Sequence, residues 1–112
     1  MDNKGPANID AIELALKYMG MKGSCDKVAQ AFITDFLGKG YSIYSTEKIA
    51  KEDARAGEVI FYEDGGVGLQ HWEVYLGGNS ALQGNINGTT VIGSVYMNYG
   101  SEPQFLRSIS NS

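Results

Sequence analysis

The chain has 112 residues, 43% of them hydrophobic and 20% charged, with a formal net charge of −4. That length allows one hydrophobic core and not two, and the composition is that of a folded globule rather than a disordered tail. Lys and Arg form no stripe, no apolar run approaches the roughly 18 residues that span a bilayer, and the opening "MDNKGPANID" lacks the apolar middle of a signal peptide. The expectation is therefore a single domain over residues 1–112 with no nucleic-acid or membrane partner, made in the cytoplasm without a signal peptide, or else a domain cut from a longer protein or exported by another route.

Asn8 is placed to cap a first helix, in which Ile9, Ile12, Leu16 and Met19 recur at helical spacing until Gly20 ends it. Ser24 is placed to cap a second, with Cys25 in its first turn. Cys25, Val28, Ala29, Phe32 and Phe36 share one face of it, and Gly38 and Gly40 close it. Thr46 to Lys51, led in by Ser45, reads as a short helical stretch. From Gly57 the character changes. "EVIFY" (58–62) reads as a strand, "EDGGVGL" as a loop, and "QHWEVYL" (70–76) as an alternating strand. His71, Glu73 and Tyr75 occupy one face of that strand, and Trp72, Val74 and Leu76 the other. "SALQGN" continues the sheet, Asn87-Gly88 is a hairpin turn into "TTVIGSVYM", and "QFLRSI" is a last short strand. Helices precede an antiparallel sheet, an α+β plan.

The chain holds one cysteine and one histidine. A single cysteine excludes an internal disulfide and a thiolate-rich zinc site. Taken alone, Cys25 reads as a small buried hydrophobe and His71 as a satisfied imidazole. Together they admit a second reading. A thiol in the first turn of a helix feels backbone N–H groups and the positive end of the helix dipole, which favour the thiolate. A nucleophile also needs a base, and only His71 can serve. If Leu76-Gly77-Gly78 is a three-residue loop, Tyr75 faces Asn79, Glu73 faces Ala81 and His71 faces Gln83. Directly opposed residues in a hairpin lie about 5 Å apart, so Gln83 is placed to hold the imidazole in one tautomer. A two-residue loop sends Gln83 to the wrong face. Asn85 shares its parity and is the alternative orienter. Glu73 is read as solvated at the rim of the site, with substrate contact or a raised histidine pKa as the other readings.

Weaker patterns have simpler explanations. "GGVG" is followed by no helix and is not a dinucleotide fingerprint, and "NGT" at 87–89 is turn chemistry rather than a glycosylation acceptor. A metal site built from His71, Glu73 and another carboxylate is the less favoured use of those residues, so no metal or other cofactor is expected.

The segments "GSCDKVAQAF", "ARAGEVIFY" and "HWEVYLGGNSALQGN", in that order, resemble the papain-like cell-wall peptidases of the NlpC and CHAP kind. "GSCDKV" and the late "VYMNYG" are most similar to the peptidase domains of bacteriophage endolysins. The likeness runs from about Ile9 to Gly100. It implies a papain-like core, with N-terminal helices carrying Cys25 packed on a sheet carrying His71 and Gln83. It also implies hydrolysis of an amide bond in bacterial peptidoglycan. Cys25 would attack the carbonyl as thiolate, with its backbone N–H as oxyanion donor. His71 would take up the thiol proton and pass it to the leaving amine, and Gln83 or Asn85 would orient the ring. The implied substrate is a stem peptide or cross-bridge, reached with the help of a separate wall-binding domain or subunit, at the bacterial cell wall. Many NlpC-like enzymes flank the cysteine with Asp and Ser in an Asp-Cys-Ser-Gly run. Here the flanks are Ser24 and Asp26, so that specificity for a free peptide amine is not carried over. A non-catalytic binding module of the same fold, recognising wall peptide or a protein partner, is the competing reading.

Overall fold

The computed structural model describes residues 7–66, 68–95 and 101–110. Helix α1 (Ile9–Leu16) is capped as its sequence suggests, the Asn8 side chain accepting from the Ala11 N–H at 2.9 Å. Of the four apolar residues at helical spacing, only Ile12 packs against the core. Ala11 and Ala15 are fully buried and Tyr18 nearly so, while Ile9, Leu16 and Met19 are 73%, 55% and 49% exposed. Two alanines four residues apart leave a smooth strip on which α1 approaches its neighbour closely. Tyr18 then ties the helices by donating to the Ala31 carbonyl and to Asp35.

Helix α2 (Cys25–Leu37) buries Val28, Ala29, Phe32 and Ile33. Ser24 occupies its N-cap position, but its hydroxyl makes no capping bond to a helix N–H. The segment expected to be helical after it is extended. Thr46–Ile49 forms strand β1, paired antiparallel with β6 (Gln104–Ser108), and only Lys51–Asp53 makes a single 3₁₀ turn. Pairing to a strand far along the chain overrides the weak helical preference of four residues.

The remaining strands are β2 (Val59–Tyr62), β3 (His71–Tyr75), β4 (Ser80–Ile86) and β5 (Thr89–Ser94). The sheet runs β1-β6-β2-β3-β4-β5, every pair antiparallel, so the last strand is inserted between the first two. The architecture is α+β, as expected. Of "VYMNYG", only Val95 lies among the described residues.

The β3–β4 hairpin has three loop residues, but they are Gly77, Gly78 and Asn79. Leu76 still belongs to the ladder and donates to the Ser80 carbonyl at 2.9 Å. The turn is set by the two glycines, whose φ values of +91° and +57° suit no other residue as well. Tyr75 therefore faces Ala81, and Glu73 faces Gln83, two residues off the expected register.

The helices cover one side of the sheet, with Val28, Phe32 and Ile33 packing on Val74, Leu76 and Leu82. A second apolar cluster, including Tyr62, Tyr75 and Phe105, covers the other side. At one point the backbone itself forms the contact. A Cβ on Gly84 would stand 2.8 Å from Val28 Cβ and 3.2 Å from Cys25 Cα. The absent side chain lets the first turn of α2 lie directly on β4.

Candidate functional site

That approach brings Cys25 over the start of β3, where the imidazole of His71 and the backbone of Trp72 lie close enough to act on its thiol. His71 is 8% exposed, and its Nε2 lies 3.0 Å from Glu73 Oε2. The carboxylate engages Nε2, which assigns Nδ1 to the thiol side of the ring. Glu73 is completely buried, not solvated at a rim. Positions 71 and 73 share a face of β3, and the second apolar cluster closes over that face, so the carboxylate has the imidazole beside it in place of water.

The electrostatics follow from these contacts. Burial pushes the Cys25 thiol up, but the His71 hydrogen bond, the Trp72 backbone bond and the imidazole charge outweigh it and bring the pKa below its ordinary value. The nearby Asp26 works weakly against them. Burial lowers the His71 pKa, while its bonds to Cys25 and Glu73 and their charges raise it to a net value of about 9. A thiol pulled down beside an imidazole pushed up is disposed to exist as thiolate and imidazolium.

Gln83 does not stand opposite His71. It is fully buried opposite Glu73, and its Nε2 donates to the Ser94 carbonyl at 3.2 Å. The hairpin loop falls one residue later than expected, which moves every β4 partner by two. Continued one step, the observed register points Asn85 at His71, but the ladder stops at Glu73 and Gln83. Asn85 instead reaches a cleft of about 160 Å³ that it lines with Cys25, His71, Gly65, Leu69, Gln70 and Ile86. Beside the thiol, the Tyr44 hydroxyl donates to Asp26 at 3.0 Å and its ring meets Trp72 edge-on at 5.7 Å. Among the described residues, no group of three or more His, Cys, Asp or Glu side chains is placed to hold a metal ion.

The structure brings near one another the thiol and the imidazole that the sequence paired, and it places Glu73 rather than Gln83 beside the ring. The signal for Glu73 was present in its parity with His71. What parity could not reveal was that this face of β3 is buried.

A helix-borne thiol, a strand-borne imidazole and a buried carboxylate in series can, chemically, form a nucleophile, shuttle a proton and hold the resulting cation. The NlpC/P60 family model matches residues 13–109, and the chain belongs to the NlpC/P60 family. Members of that family are cysteine peptidases or amidases that act on peptidoglycan. Neither the curated proteins nor the solved structures contain a significant match to the chain.

Proposed function

We propose that this chain is a peptidoglycan hydrolase with a papain-like core, cutting an amide bond of a stem peptide or cross-bridge as a single catalytic domain. Cys25 is the nucleophile and His71 the proton carrier. Glu73 is the positioning residue in place of Gln83 or Asn85. The observation that carries the reading is the continuous contact from Cys25 to His71 to Glu73 at the edge of an open cleft.

In this mechanism the Cys25 thiolate adds to the scissile carbonyl, and the oxyanion that forms faces the backbone N–H groups at the start of α2. The imidazolium gives its proton to the departing amine, leaving an acyl group on sulfur. His71, now neutral, takes a proton from water as that water attacks the thioester, and the acid product leaves with the thiol–imidazole pair restored. Glu73 holds the ring in the tautomer that presents Nδ1 to sulfur, and it stabilises the imidazolium. The likeness to phage endolysins supports a lytic role at the bacterial wall, with wall affinity supplied by a separate binding domain or subunit.

The test is mass spectrometry of fragments released from purified peptidoglycan by the parent and by Cys25→Ala. A new amine and carboxyl terminus at one defined bond, produced only by the parent, supports the reading. Equal products from both sink it, and products from neither sink it in favour of the non-catalytic binding module.

A further inference from the structure

Asn85 breaks the pattern of its own strand. The four residues before it in β4, Ala81 to Gly84, are all buried, and Asn85 is exposed. The ladder to β5 pairs Gln83 with Val91 and Ile86 with Thr89, so β4 carries one extra residue between them. Asn85 lies in that bulge with φ of +59°, a left-handed conformation uncommon outside glycine. Bulges of this kind break the regular alternation of a strand and re-aim a side chain. The Asn85 side chain lines the cleft that holds Cys25 and His71. Glu73 already engages the imidazole, and among the described residues the Asn85 carboxamide makes no hydrogen bond. Its amide donors and its carbonyl acceptor are therefore both offered to whatever fills the cleft.

The rest of the lining defines the ligand. Gly65, Leu69 and Ile86 surround the thiol and imidazole, Gln70 is neutral, and the small volume of about 160 Å³ leaves little room for a long side chain. A small apolar side chain entering here packs against Leu69 and Ile86. We propose that Asn85 is a substrate-binding residue whose carboxamide pairs with a peptide group flanking the scissile bond, in a subsite for a small uncharged amino acid. This rests on the hydrolase reading above.

The experiment is steady-state hydrolysis of soluble peptidoglycan fragments by the parent, Asn85→Ala, Asn85→Gly and Cys25→Ala, with the iodoacetamide reaction rate of Cys25 measured in the first three. Loss of a paired carboxamide should raise KM about tenfold in both Asn85 variants, with kcat within about twofold of the parent. Alkylation of Cys25 should keep the parental rate, showing that the thiol–imidazole pair is undisturbed. An unchanged KM in both variants overturns the proposal. So does a raised KM in Asn85→Ala that Asn85→Gly restores, because glycine relieves backbone strain without replacing the carboxamide. If Cys25→Ala hydrolyses the fragments as the parent does, the hydrolase reading fails and takes the subsite with it. If Cys25→Ala is dead and both Asn85 variants behave as parent, only the subsite fails.

Discussion

Glu73 has two roles available to a carboxylate placed two residues from a histidine on one strand face: dispersal into solvent, or capture of the ring. Complete burial decides for the ring, since a buried carboxylate needs a hydrogen-bonded partner and His71 Nε2 stands 3.0 Å away. A measurable pH dependence follows. The protonated imidazole supplies the leaving-group proton, so kcat/KM should fall as pH rises through about 9, where His71 titrates. Glu73→Gln keeps the shape and a hydrogen bond but removes the charge. Its basic limb should move down by a unit or more toward the ordinary histidine value of about 6.5, and hydrolysis should slow by about tenfold or more. A basic limb that stays in place would show that Glu73 does not sustain the imidazolium. The thiol gives an independent readout. Cys25 should alkylate with iodoacetamide at a midpoint below the ordinary cysteine value of about 8.5, and His71→Ala should raise that midpoint. A thiol that reacts only after denaturation would return Cys25 to a packing role.

At the scale of elements, the site depends on how α1 and α2 seat themselves. Gly84 is where α2 meets the sheet, and a methyl there collides with Val28 Cβ at 2.8 Å, an atom too near the main chain to swing aside. Gly84→Ala should cost about 1–3 kcal/mol by overpacking. The displaced helix start should also slow Cys25 alkylation and hydrolysis together, as thermal melts combined with thiol kinetics will show. Parental rates in a folded variant would mean that the close approach is not what positions the thiol. Helix α1 illustrates the limit of periodicity. Its large apolar residues recur at helical spacing, yet the small ones face inward, because close packing against a neighbouring helix rewards alanine at the contact. Leu16→Ser, on the exposed face, should change stability by no more than about 0.5 kcal/mol. Ala15→Leu, on the fully buried face, should destabilise by about 1–3 kcal/mol in chemical denaturation. The opposite ranking would restore the expected orientation of the helix.

For the whole molecule, the paired titrations shape stability against pH. His71 is raised on folding, so its contribution is fully present below about 6.5 and is lost as pH rises through about 9. Cys25 is lowered, so its contribution is present above the ordinary thiol value and is lost as pH falls through the folded one. Where the pH lies above the lowered Cys25 value, above the ordinary histidine value and below the ordinary thiol value, the folded chain carries its proton on the imidazole and the unfolded chain carries it on the thiol. The counts match, and this pair should leave stability flat across that window. Cys25→Ala removes the thiol half while Glu73 continues to hold the imidazolium. Its stability should therefore fall relative to the parent as pH rises through neutrality, by up to about 1.4 kcal/mol per pH unit. Parallel curves for the two proteins would show that the thiol and imidazole do not exchange a proton on folding.

Local chemistry was enough to determine much of this protein from sequence. Capping at Asn8, the Cys25 helix, alternation in "HWEVY" and the Asn87-Gly88 turn each depend on residues within a few positions of one another. The same local signals placed the thiol on a helix and the imidazole on a strand, and joined them as a candidate pair. Tertiary structure decided the rest wherever the partner was remote or the count was delicate. Thr46–Ile49 became a strand because β6 was there to pair with it. The ring's neighbour changed from Gln83 to Glu73 because the loop began one residue later than expected, a shift that costs little in the turn and moves every cross-strand partner by two. Asn85 lines the cleft from a bulge of one extra residue in β4, and which face of β3 would be dry depended on apolar residues drawn from both ends of the sheet. Register, bulges and burial are properties of several segments at once, and a periodic pattern in one segment does not contain them.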